Sequence, residues 1–128
     1  MKLKEKSSVV LPSDIDCEVY GLCNTLNCLP DTETFESCCG HQKQPCMVFF
    51  YCKNIGVMKR LGRVVNHNYS DGRWELLVDD VDTEHKGVVL WLKTKEVLGA
   101  YTLKVSIQGL INAIEYWFDD KFDEYFDK

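Results

Sequence analysis

Cys46-Met47-Val48-Phe49-Phe50-Tyr51-Cys52 decides the fold. This run is too short for a helix of ordinary length. It is rich in aromatic and β-branched residues, and it carries apolar side chains on both alternating faces. It therefore reads as a central strand covered on each side. Just before it, Thr32-Glu33-Thr34-Phe35-Glu36 has strand character. The polar segment Ser37-Cys38-Cys39-Gly40-His41-Gln42-Lys43-Gln44-Pro45 between them contains Gly and Pro and reads as the connecting loop.

Helical patterns flank this pair. Upstream, Ile15, Val19, Leu22, Leu26 and Leu29 fall on one stripe, with Ser13 as N-cap, Asp14 and Asp16 in the first turn and Pro30 as the stop. Cys17 and Cys28 lie opposite that stripe, with Cys23 at its margin, where they are expected to touch another element or subunit. Downstream, Asn54 caps a helix with apolar Ile55, Met58, Leu61 and Val65 and polar Lys59, Arg60 and Arg63. Two further strands, Arg73–Val81 and Gly87–Lys93, enclose an acidic turn containing Asp82, Glu84 and His85. A last helix over about Thr102 to Phe122 has Leu103, Ile107, Leu110, Ile111, Ile114 and Trp117 as its core stripe. The predicted architecture is α+β, a single domain over residues 1–128. It has a mainly antiparallel sheet of about four strands packed by about three helices, in the order α-β-β-α-β-β-α. Residues 1–12 form a lead-in, with Val9-Val10 as a candidate edge strand.

Composition narrows the function classes. Apolar residues are 45% of the 128 and aromatics 12%, which predicts a packed core rather than disorder. The 20 acidic against 15 basic residues, net charge −5, argue against duplex nucleic acid, whose binding depends on neutralising phosphates. No apolar run approaches the roughly 18 residues of a membrane helix, and Ser7–Pro12 is too short for a secretory h-region. A cytoplasmic protein that contacts no membrane is expected. The seven cysteines include no Cys-x-x-Cys, and most are expected to be reduced, several as small core residues.

The loop after the first strand concentrates the chemistry. Backbone N–H groups in such a turn hold an anion or the polar edge of a ligand, Gly40 permits a positive φ, and His41 and Lys43 add donors. Ser37, Cys38, Cys39, Gly40, His41 and Lys43 are thus the candidate ligand-binding residues, with Arg60 and Arg63 as neutralisers of phosphate. Two rival readings use the same loop. Cys38, Cys39, His41 and Cys46 offer a zinc-like donor mixture, although adjacent cysteines do not match the usual zinc-knuckle spacing. A thiol nucleophile with His41 as base needs an unusual turn, because Cys39 and His41 are only two residues apart. His67 and His85 are further candidate partners for a thiol. Asn66, Asn68 and Tyr69 are candidates for reading or stacking on a base. Trp74 and Trp91 read as sheet core, and Asp79-Asp80-Val81-Asp82 as a solvated strand end.

Thr34-Phe35-Glu36-Ser37-Cys38-Cys39-Gly40-His41, closing on Pro45 before an apolar strand, resembles the Ser-Cys-Cys-Gly-His signature of small proteins encoded by bacteriophages and mobile elements. The resemblance implies a phage source. By analogy of source and size with the Thoeris anti-defence sponges, it implies a non-enzymatic protein that sequesters a cyclic nucleotide signal, with no cofactor. A thiol- or zinc-dependent enzyme and a protein–protein inhibitor of a host factor are the alternatives. The C-terminal stripe Trp117, Phe118, Phe122, Tyr125 and Phe126, flanked by acids within residues 117–128, is expected to mediate homo-oligomer contacts.

Overall fold

A computed structural model of the chain describes residues 1–67, 69–82, 84 and 87–126. Asn68 and His85, two of the candidates above, lie outside the described residues, as does the end of the C-terminal segment. The elements are α1 (Cys17–Asn27), β1 (Thr32–Cys38), β2 (Met47–Cys52), α2 (Ile55–Asn66), β3 (Trp74–Asp82), β4 (Gly87–Thr94), α3 (Ala100–Trp117) and a short α4 (Asp123–Phe126). The fold is α+β. Its four strands form one antiparallel sheet in the order β1-β2-β4-β3, which makes β2 a central strand.

The helices gather on one face of the sheet. Val48, Phe50 and Cys52 of β2 join Leu90 and Leu92 of β4 and Trp74 and Leu76 of β3. Against them pack Val19, Leu22 and Leu26 of α1, Val57, Leu61 and Val65 of α2, and Leu103, Ile107, Leu110 and Ile114 of α3. The opposite face departs from the expectation of a strand covered on both sides. Met47, Phe49 and Tyr51 are only half-buried there. They are shielded by neighbouring side chains: Phe35 stacks on Tyr51 at 4.3 Å and Phe49 on Trp91 at 5.5 Å. Cross-strand aromatic pairing of this kind stabilises a sheet face without a second layer. Trp74 is core, as expected, and its Nε1 donates to Ser106 Oγ. Trp91 belongs to the half-open aromatic row.

Four boundaries differ from the sequence reading. α1 starts at Cys17 rather than after Ser13, because the Asp16 carboxylate bonds elsewhere and does not cap the helix. Val9-Val10 is not a strand; the lead-in contains a single 3-10 turn, Lys6–Ser8. On α2 the buried stripe is Val57, Arg60, Leu61, Val64 and Val65, and Ile55 at the first position is exposed. Asn54 does cap this helix, accepting from Val57 N. The last helix ends at Trp117, and Asp119 turns the chain by accepting from Lys121 N. That turn folds the aromatic stripe back onto its own chain, with Phe122 against Trp117 at 4.7 Å and Phe118 and Phe126 buried. Of the aromatic residues expected to form an oligomer surface, Tyr125 is left exposed.

Arg60, expected to neutralise the phosphate of a ligand, is 1% exposed. Its Nη2 donates to Asp123 Oδ1 at 2.8 Å, its Nη1 to the Trp117 carbonyl at 3.4 Å, and its guanidinium lies over the rings of Phe118 and Phe126. Asp123 also accepts from the Met1 amine, and these two cations hold its carboxyl below the usual carboxylate range. A fully buried side chain with these partners acts as the clasp between α2, the end of α3 and α4. Arg60→Ala is expected to cost about 3 kcal/mol or more, from lost packing and loss of the charge partner of Asp123. Urea denaturation measures this, and a cost under about 1 kcal/mol would show that the clasp is dispensable.

Candidate functional site

The β1–β2 loop is held in a conformation that few sequences adopt. Gly40, His41 and Gln42 have φ of +88°, +50° and +61° in succession. Gly40 fits because it has no side chain: a Cβ there would lie 2.1 Å from the Gln44 carbonyl oxygen. His41 and Gln42 carry the left-handed conformation at a cost of about 1 kcal/mol or more each. The loop is fixed at several points. Lys43 N and Gln44 N donate to the Gly40 carbonyl, and Cys46 N donates to Thr94 Oγ1 on β4. Cys39 N donates to Asp16 Oδ2 at 3.2 Å, which ties the loop to the start of α1.

This turn brings Cys39 and His41 together after all, with Sγ and Nδ1 3.5 Å apart. On the other side of the ring, His41 Nε2 stands 3.7 Å from Asp16 Oδ2. The Cys38 Sγ accepts from Gly40 N at 3.4 Å and Gln44 Nε2 at 3.7 Å. The Asp16, Cys38 and His41 ligand atoms all lie within 4.8 Å of one another.

Beside the loop is a cavity of about 680 Å³. One wall is α1 (Cys17, Glu18 and Gly21), and another is the first half of α3 (Ala100, Leu103, Lys104, Ile107, Gln108 and Ile111). Cys39, His41 and Gln42 close the third side. The walls combine apolar side chains with a few polar groups of both signs. Neither α1 nor α3 has a side-chain cap at its N-terminus, and both helices begin beside this cavity.

The residues singled out by sequence therefore divide. Cys39 and His41 border the cavity, and Gly40 and Cys38 support them. Ser37 sits at the end of β1 beside a smaller groove with Pro12, Asp14 and Ile15. Lys43 is exposed and does not line the cavity. Arg60 and Arg63 face Phe126 at the C-terminal end of α3, about 20 Å along that helix from Leu103. They do not meet the loop. Cys46 is 2% exposed, burial pushes its thiol up to about 12, and it does not join the cluster of Asp16, Cys38 and His41. Cys23 and Cys28 are buried, in keeping with the expected contact with another element, whereas Cys17 of that trio is exposed. Sequence reading missed Asp16, Glu18, Lys104 and Gln108 as site residues. The acids were visible as first-turn residues, but nothing in the spacing joins α1 to a loop more than twenty positions on.

The Cys39 thiol is raised by burial, and the nearby Asp16 adds to the shift. At neutral pH it is held as the thiol. Iodoacetamide is therefore expected to modify Cys39 more slowly than an unperturbed cysteine at pH 7.5, gaining as pH rises past the ordinary thiol range, while Cys46 stays unmodified until the chain unfolds. Peptide mapping reads both, and fast neutral labelling of Cys39 would contradict this protonation state. Gly40→Ala is expected to cost about 1–3 kcal/mol through its φ and the clash with Gln44. Gly109→Ala on α3, where a Cβ meets nothing within 4 Å, should stabilise. Thermal denaturation compares the two, and a neutral Gly40→Ala would contradict the strained turn.

Among the described residues no helix is long and apolar enough to cross a membrane. No family model, curated protein or solved structure matches the chain, so the site is interpreted from its own geometry.

Proposed function

We propose that this chain is a non-enzymatic binding protein that sequesters a small anionic ligand of nucleotide size in the cavity between α1, α3 and the β1–β2 loop. The observation that carries this reading is the cavity itself. At about 680 Å³ it falls within the range that encloses small-molecule ligands, and its walls are apolar with a few convergent polar groups. Lys104 and the uncapped first turn of α3 replace Arg60 and Arg63 as the positive side. Glu18 and Gln108 offer partners for the donors of a base edge. The resemblance of Thr34–His41 to phage-encoded proteins supports a nucleotide immune signal as the ligand and an anti-defence role.

Cys39 bears on whether the ligand is held or turned over. A nucleophilic cysteine needs its thiolate favoured, and here burial and a carboxylate favour the thiol. A second reading has one observation behind it. The Cys39–His41–Asp16 array has the order of nucleophile, base and orienting acid, with contacts of 3.5 and 3.7 Å. In that case the reaction would be acyl transfer through Cys39.

Native mass spectrometry of freshly purified protein, followed by identification of released molecules, separates the two. A nucleotide-sized, non-covalent adduct returned chemically intact is expected. Lys104→Glu should weaken rebinding of that molecule about tenfold or more, and Gln108→Trp should block it by filling the mouth of the cavity. A covalent adduct on Cys39, or a chemically altered ligand, would overturn sequestration in favour of the enzyme. Rebinding unaffected by both variants would remove the cavity as the site.

A further inference from the structure

Asp16, Cys38 and His41 form a second constellation that the binding cavity does not use. Asp16 and Cys38 do not line the cavity, and His41 stands between the two. The three side chains supply a carboxylate oxygen, a thiolate sulfur and an imidazole nitrogen, a donor set suited to zinc. Ligand atoms around a tetrahedral zinc stand roughly 3.5 Å apart. Asp16 Oδ2 and His41 Nε2 are already 3.7 Å apart, and all three ligand atoms lie within 4.8 Å of one another.

Two further observations point to a metal rather than to chance proximity. The first is the sulfur of Cys38, which accepts from a backbone N–H and a side-chain amide. Metal-ligating side chains are commonly held in place by hydrogen bonds of this kind from their surroundings. The second is the support around the other two ligands. With Nε2 turned toward Asp16, His41 places Nδ1 3.5 Å from Cys39 Sγ, and the Cys39 amide donates to Asp16 Oδ2. A metal-ligating histidine commonly has its second nitrogen fixed in this way, and its partner carboxylate is commonly hydrogen-bonded. The left-handed backbone at Gly40, His41 and Gln42 accompanies the approach of the His41 ring to Asp16 and Cys38.

We propose that Asp16, Cys38 and His41 form a zinc site, with Cys39 as a positioning residue and a fourth position left for water or a group entering from the cavity. On binding, Cys38 releases its proton to solvent and the ion takes the sulfur lone pair, so affinity rises with pH. The assignment does not rest on the identity of what the cavity holds.

The full chain, reduced and stripped with chelator, is titrated with zinc alone and separately with cobalt alone. One zinc per chain is expected by native mass spectrometry. Cobalt should give visible bands of tetrahedral type with a sulfur-to-metal charge-transfer band in the near ultraviolet. Cys38→Ser should abolish the charge-transfer band, and His41→Gln and Asp16→Asn should weaken binding while keeping it. Cys39→Ser should keep the band and weaken binding about tenfold, the effect of losing an outer partner. Far-ultraviolet circular dichroism establishes that each variant is folded, and Asp16→Asn leaves every thiol in place should Cys38→Ser misfold. Absence of zinc binding by the wild-type chain, a charge-transfer band that survives Cys38→Ser, a band lost in Cys39→Ser alone, or undiminished binding by Asp16→Asn would each overturn the assignment.

Discussion

The Asp16 carboxylate fastens the chemistry-bearing loop to the helical layer. It sits where a helix cap is expected, yet its oxygen accepts from the Cys39 amide and faces His41 rather than satisfying the first turn of α1. A cap of this kind is worth about 1 kcal/mol. Forgoing it leaves the first turn of α1 without a side-chain cap and ties the β1–β2 loop across to α1. The loop's other anchors include the Gly40 carbonyl within its own backbone and Thr94 on β4. Three left-handed residues in succession are tolerable only where the surroundings over-determine them. Asp16 at one end and the Cys46–Thr94 contact at the other provide that determination.

The opposite end of the molecule answers a different constraint. A guanidinium removed from water must be paired, and Arg60 meets Asp123, the Trp117 carbonyl and two aromatic rings. To supply those partners the chain must leave α3 at Trp117, turn at Asp119 and return over α2. The aromatic C-terminus is therefore the lining of a buried cation. The same α3 thus serves two ends: its last turn closes the Arg60 clasp, and its first half walls the cavity with Leu103, Lys104 and Ile107. The rigidity that packing gives α3 is what holds a cavity open beside a strained loop.

Much of the architecture was legible because it follows from periodicity. The stripes Val19-Leu22-Leu26 and Leu103-Ile107-Leu110-Ile114 are the buried faces of α1 and α3, and Asn54 is the cap of α2. Where the reading failed, a single side chain departed from its usual behaviour. Arg60 sits in the middle of an apolar stripe, and a charged residue there is ordinarily assigned to solvent. Met47, Phe49 and Tyr51 suggested a second covering layer, because cross-strand stacking with Phe35 and Trp91 depends on register, which the sequence does not display. For the site, Cys39, Gly40 and His41 were found from composition, whereas Asp16 and Lys104 were not. Their place at the loop follows from how α1 and α3 pack, a long-range property that no local spacing encodes.

His41 joins the two halves of the functional reading. Its Nδ1 faces a thiol held protonated by burial, its Nε2 faces a carboxylate, and its ring borders the cavity. A cation bound between Asp16 and Cys38 would add positive charge to a wall that otherwise relies on Lys104 and helix N-termini. Anion binding in the cavity and cation binding at the loop would then reinforce each other through a single ring. By linkage, each would tighten the other by the same factor. The two adjacent cysteines differ in their contacts: Cys38 Sγ accepts from the Gly40 amide and Gln44 Nε2, while Cys39 Sγ lies 3.5 Å from His41 Nδ1.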